Sequence, residues 1–187
     1  TLPHFHETNQ FQVVVGGAGH FGKQAAMPLS LQYANAHTPY GPIISGDEGI
    51  VYFTLRAKWD PGAKYMPASR DKLIKGNQRS KLISGIEVGP ASALAGRPGV
   101  LAETVITPEA DGLAAWLLRM GPGTVFENPH PRTGGGQYIV VAEGSWLHGG
   151  RELPRLSCLF VTADEAPLRV LAGSGGLELL VMQFPKP

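Results

Sequence analysis

Apolar residues along the chain fall in short runs broken by glycine, proline, asparagine and aspartate. They are Phe11 to Val15, Ile50 to Leu55, Val100 to Ile106, Leu113 to Leu118, Tyr138 to Val141, Leu156 to Val161, Leu168 to Leu171 and Leu177 to Phe184. Runs of this length bounded by turn formers predict strands of a sandwich or barrel. Helical periodicity is weak, and the one short candidate is Ser69 to Lys75, where Ser69 can cap a basic turn. An all-β chain is expected.

Composition supports that reading. The 187 residues include 25 Gly and 16 Pro, which supply the turns, while 43% hydrophobic and 17% charged residues make a core-forming chain. A net charge of +1 leaves no electrostatic footprint for nucleic acid, and no apolar run reaches the ~18 residues of a membrane-spanning helix. Neither nucleic acid nor membrane is therefore expected as a partner. Cys158 is the only cysteine, which excludes an intramolecular disulfide and a thiolate cage; its apolar neighbours predict a buried residue. With no signal-peptide pattern in the chain, a cytoplasmic setting is expected.

The pattern also repeats. Gln10-Phe11-Gln12-Val13-Val14-Val15-Gly16-Gly17 resembles Gln137-Tyr138-Ile139-Val140-Val141-Ala142-Glu143-Gly144, and Pro28, Pro39 and Gly49 find counterparts in Pro154, Pro167 and Gly176 at nearly the same offset. A duplicated β unit follows, with a first unit over 1–57, a linker over 58–99 and a second unit over 100–187. Lys58 to Lys81 is basic and poor in apolar residues, so it reads as a solvated connector; contact with an anionic partner is the lesser reading. Residues 100 to 127 precede the position that matches Thr1. The first unit is thus expected to lack a counterpart of them, leaving a wall opened or borrowed from another segment or subunit. Exposed strand edges make a homodimer, by strand exchange or sheet extension, an expectation too.

Candidate chemistry sits near the start. His4 and His6 are two apart at the entrance to a strand, so both imidazoles share a face and can reach one metal. Gln10 follows at the same parity, and Gly17 stands where the strand must turn sharply. This string, His-x-His, three residues, Gln, six residues, Gly, resembles the first motif of the cupin superfamily, which usually has Glu in place of Gln10.

The resemblance implies an antiparallel jelly-roll barrel, here with two cupin repeats, and a second motif that supplies another His from a later turn. In Tyr33 to Pro42 the family's spacing falls on Tyr40, with His37 three residues before it. His37 is expected as the third ligand and Tyr40 as a catalytic group beside the open site, with the reverse assignment left open. Implied with them are one divalent transition metal (Fe, Ni, Mn, Cu or Zn) on His4, His6, Gln10 and His37, and a small-molecule substrate.

In the second unit the positions of His4, His6 and His37 fall on Pro131, Thr133 and Glu165. That unit is expected to be a metal-free cupin with a structural or dimerising role, and His130 a surface residue. No nucleophilic triad or catalytic carboxylate pair stands out; Asp47-Glu48 and Asp164-Glu165 read as turn residues. The function implied is a metal-dependent enzyme acting on a small oxygenated molecule, most simply a dioxygenase, or else an isomerase or lyase. The alternative is a non-enzymatic protein that binds a sugar or organic acid. Gln10 favours the alternative, because an amide oxygen is a neutral and weaker metal donor than a carboxylate.

Overall fold

A computed structural model describes residues 1–76, 78–87 and 89–187; Asn77 and Val88, within the expected linker, lie outside the described residues. The chain forms two compact units, Thr1–Glu87 and Val88–Pro187. No described helix is long and apolar enough to cross a membrane.

The first unit contains β1 (His4–Phe5), β2 (Gln10–Phe21), β3 (Gln24–Ala26), β4 (Leu31–Ala34), β5 (Ile43–Arg56), β6 (Lys64–Tyr65) and β7 (Ser80–Ile83). Strand β2 pairs antiparallel with β3, β4 and β5, and β4 carries β7 on its far edge. Strand β1 stands apart, paired with β6 and bridged at His4 to Tyr40. The second unit contains a five-residue helix α1 (Ala91–Ala95), then β8 (Val100–Ile106), β9 (Ala114–Met120), β10 (Val125–Glu127), β11 (Gln137–His148), β12 (Arg151–Pro154), β13 (Cys158–Val161) and β14 (Arg169–Gln183). Its central pair is β11 with β14.

The sequence repeat is a backbone repeat. Strands β11, β12, β13 and β14 pair as β2, β3, β4 and β5 do, with Gln10 opposite Ala34 and Arg56, and Gln137 opposite Val161 and Gln183. Both long hairpins break register at the same two places, between Val14/Gly16 and Gly17/Gly19 and between Val141/Glu143 and Gly144/Trp146. Glycine is required at these bulges. A Cβ on Gly17 (φ +65°) would stand 2.2 Å from Gly49 O, and one on Gly144 (φ +72°) would stand 2.2 Å from Gly176 O.

The units differ at one edge. Strand β14 takes β9 on its second side, and β9 takes β8, whereas β5 pairs only with β2 among the described residues.

Several expectations need correction. The stretch 58–99 is more than a connector, since Lys64–Tyr65 pairs with β1 and Ser80–Ile83 extends the sheet. The two runs Leu168 to Leu171 and Leu177 to Phe184 lie in or beside one 15-residue strand, because the glycine-bearing bulges let β14 bend without ending. For the same reason Asp47-Glu48 lie inside β5 rather than in a turn. Cys158 is exposed: alternation along β13 sets it on the face opposite Leu159 and Val161, which pack with the core. Only Arg70–Lys72 forms a 3₁₀ turn after Ser69, whose side chain does not cap it.

Candidate metal centre in the first unit

Strand β1 is short because it is wedged between two neighbours. His4 N–H donates to Tyr40 O (3.0 Å) and Tyr40 N–H to His4 O (2.9 Å), while His4 and Phe5 face Tyr65 and Lys64 on the other side. Alternation then sends His4 and His6 to one face and Phe5 to the other. All three are buried, His4 to 4% and His6 to 7% exposure. The imidazole centroids of His4 and His6 lie 5.3 Å apart, and the Tyr40 ring lies 4.5 Å from His4.

Each imidazole is anchored through Nδ1. His4 Nδ1 is 2.7 Å from Leu2 O, and because a carbonyl only accepts, the proton sits on Nδ1 and the lone pair on Nε2. His6 Nδ1 is 2.6 Å from Asp60 Oδ1, which fixes the same tautomer. Burial pulls both histidines below the ordinary value of 6.5; for His6 it outweighs the raising effect of Asp60, and Arg56 adds to the lowering in both. Both are neutral near pH 7, so the His6–Asp60 contact is a hydrogen bond from a neutral ring. For Asp60 the burden of burial is overcome by hydrogen bonds from His6 and from the Gly62 and Glu7 N–H groups, and its carboxyl stays below the ordinary range.

Gln10 organises the other side. Its Nε2 donates to Tyr40 Oη, and its Oε1 accepts from Arg56 Nε at 3.0 Å. Arg56 Nη2 lies 3.1 Å from His6 Nε2, to which it donates; the 3.2 Å approach to His6 Nδ1 joins two donors and is no hydrogen bond. Burial pushes the Tyr40 hydroxyl up to about 12, so it keeps its proton while accepting from Gln10.

The structure therefore brings together His4, His6, Gln10 and Tyr40, and it leaves His37 out. The His37 ring packs 5.5 Å from Phe5, on the face away from His4 and His6, and its Nδ1 accepts from Ile74 N–H at 3.4 Å. The reason is backbone geometry. His37 takes φ 57° in the turn before Tyr40, where its N–H holds His6 O at 2.8 Å. The spacing that favours Tyr40 is the one the turn realises. Sequence reasoning missed Arg56 and Asp60. Arg56 was findable, since it stands opposite Gln10 at the place of Gln183, but nothing local marks Asp60.

A transition metal can be tested against these donors. They fit at His4, a neutral imidazole whose Nδ1 proton is tied down and whose Nε2 lone pair remains; at His6 the Nε2 lone pair accepts from Arg56 Nη2, so a metal there has to displace the guanidinium. They do not fit at Gln10, whose oxygen already accepts from a guanidinium. Among the described residues no group of three or more His, Cys, Asp and Glu is placed to hold a metal ion, so the donor set is two imidazoles plus neutral oxygens.

The matching place in the second unit is bonded mostly within itself, with Gln137 Oε1 left without a partner among the described residues. Gln137 Nε2 donates to Gln183 Oε1 (2.9 Å) and to Pro129 O (2.8 Å), Thr133 Oγ1 donates to Gln183 Oε1, and Gln183 Nε2 donates to Gly112 O. Among the described residues no imidazole takes part in these hydrogen bonds. His130 Nδ1 instead accepts from Arg132 N–H at the start of the 3₁₀ turn Pro131–Thr133.

No family model matches the sequence, and no curated protein resembles it. Solved structures do match in fold. A presumptive dioxygenase from Nostoc punctiforme superposes with a TM-score of 0.67 at 12% identity over 99% of this chain and 65% of its own. Quercetin 2,3-dioxygenase from Acinetobacter baumannii gives 0.53 at 13% identity, covering 98% and 61%. A cupin 2 conserved barrel domain protein from Leptotrichia buccalis gives 0.53 at 11% identity, covering 95% and 74%. The chain thus spans under two thirds of the length of the first two.

Proposed function

In a chain with the cupin fold, we propose that the first unit is a metal-dependent enzyme centre acting on a small oxygenated organic molecule in a dioxygenase-type reaction. The observation that carries this reading is the pair His4 and His6, adjacent, buried, neutral and each anchored through Nδ1. The dioxygenase names of several fold neighbours support the reaction class. His4 and His6 would hold one divalent transition metal, which when bound supplies Lewis acidity and open positions for an oxygen-bearing substrate.

The remaining residues have assignable work. Asp60 keeps the His6 tautomer. Gln10 orients Tyr40 and Arg56 at once, and as an amide it cannot act as a base. Tyr40 holds its proton on Oη and can donate it to a substrate oxygen. Burial keeps water from His6, Gln10 and Tyr40. The second unit, with Pro131 and Thr133 in place of the histidines, serves as structural support.

Metal analysis of the purified chain tests the reading. About one transition metal per chain is expected, lost in His4→Ala/His6→Ala; equal metal in both proteins would refute it. A specific observation favours the second reading, a small-ligand binding protein without chemistry: Arg56 already occupies the lone pair of His6. Metal-free protein that binds ligand and turns nothing over when loaded would establish it.

A further inference from the structure

Two residues beyond Gln10 along β2, the next position on the same face is Gln12. It stands directly opposite Gln32 on β4 and Thr54 on β5. Opposed residues of antiparallel strands share a face, with Cβ atoms about 4.5–5.5 Å apart, so Gln32, Gln12 and Thr54 form a polar row across three strands. This is the face of Val14, which packs with Tyr40 in the first unit's core cluster. Gln12 and Gln32 are only 3% and 5% exposed, and neither Oε1 has a hydrogen-bond partner among the described residues. Buried carbonyl oxygens without donors are costly and rare in folded proteins.

The second unit shows what the same backbone carries where it serves only as core. There the row is Leu159, Ile139 and Val181, in identical register, all within or against the apolar cluster. The polar row is a property of the first unit alone, and it lies one step from the His4, His6 and Arg56 cluster.

We propose that Gln12 and Gln32 are a pair of acceptors for adjacent hydroxyl groups of a neutral small molecule, which enters the first unit with its hydroxyl face on this row. Two orphaned acceptors on neighbouring strands call for two donors on one ligand. Carboxylates bring none at neutral pH, and two carbonyl dipoles repel carboxylates and phosphates alike. Ammonium donors are opposed by the Arg56 charge on β5, two residues from Thr54. Hydroxyls are the donors that remain. The inference deepens the reading of the first unit as a binding chamber but does not require the metal.

Titration calorimetry on the full chain, metal-stripped and metal-loaded, tests it with catechol and myo-inositol as hydroxylated probes and 1,2-dimethoxybenzene as the capped form of catechol. At least one hydroxylated probe is expected to bind, with Gln12→Ile/Gln32→Leu weakening it tenfold or more. That variant copies the second unit and is expected to melt no lower than the parent. If it fails to fold, the capped probe decides on the parent chain, where it is expected to bind at least tenfold more weakly than catechol. Absence of binding by both hydroxylated probes, or equal binding by the variant or the capped form, would overturn the proposal. Binding that survives metal removal separates it from the metal reading, whose own failure shows in the metal content of the His4→Ala/His6→Ala protein.

Discussion

Arg56 decides how tightly the histidine pair can hold a cation, and Arg56→Gln is the perturbation that isolates it. Its guanidinium lies 3.1 Å from His6 Nε2 and 3.0 Å from Gln10 Oε1, so a metal on His6 displaces the first contact and stays beside the charge. Two like unit charges about 4 Å apart repel by about 4 kcal/mol at an effective dielectric of about 20. Arg56 is only half-buried and Asp60 lies across His6, so a quarter of that is a fair share. For a divalent ion this leaves about 2 kcal/mol, or about thirtyfold in affinity. Glutamine suits the position, since Gln183 occupies the matching place opposite Gln137.

The assay is competition of metal-stripped protein against a chelator of known affinity, with Zn²⁺, Ni²⁺ and Mn²⁺. Arg56→Gln is expected to bind at least one of them about thirtyfold more tightly than the parent. Arg56→Lys, which keeps the charge, should stay within a few-fold. Placing His6→Ala in the Arg56→Gln background should abolish the gain. If Arg56→Gln binds no more tightly than the parent, the guanidinium is not opposing the metal and the electrostatic reasoning fails.

Other expectations follow from the same contacts. Asp60→Asn leaves an acceptor for His6 and Gly62 but turns an amide donor toward the Glu7 N–H, so urea unfolding should show a loss of about 1–3 kcal/mol, with metal affinity down about ten- to a hundredfold. Because burial holds His4 and His6 below 6.5, the unfolded chain binds more protons than the fold as pH drops under that value. Stability measured in urea should therefore be full above about pH 7 and decline as pH falls below about 6.5. Asp60, held below 3.8, adds a contribution present above that pH and lost as pH falls through its lower folded value. Gly17→Ala and Gly144→Ala should each cost more stability than Gly123→Ala, which shares φ 65° with Gly17 but has nothing within 4 Å of its new Cβ; comparable losses in all three would mean that strain, not the 2.2 Å approach, decides.

The sequence made the β class and the repeat legible because both rest on local signals: apolar runs between turn formers, and glycines at fixed offset where the backbone bulges. Gln10 stands opposite Arg56 in the register in which Gln137 stands opposite Gln183. Parity placed His4 and His6 on one face, while Gln10 lies on a separate strand, β2, and meets them through Tyr40 and Arg56. His37 was expected because the turn of the second motif carries a histidine, but its left-handed backbone sends the ring to Phe5 and away from His4 and His6. Asp60 and Tyr65 were hidden by composition, because a basic stretch poor in apolar residues reads as connector even when one carboxylate and one two-residue strand within it complete the site.

The two units together form an internal control that neither offers alone. With the same bulges and the same pairing of four strands, one copy carries Gln12, Gln32, Thr54 and Arg56 and the other Ile139, Leu159, Val181 and Gln183, while His4 and His6 at β1 align in sequence with Pro131 and Thr133 of a 3₁₀ turn. A row needed only as core is filled as in the second unit, since apolar side chains avoid orphaned acceptors and gain burial; the second unit keeps its own orphaned oxygens, Gln137 Oε1 and Glu178 Oε1 among them, off that row. The first copy instead keeps two neutral imidazoles and two unanswered amide oxygens away from water, with the half-buried Arg56 beside them. On the proposed reading, that arrangement serves what the unit binds.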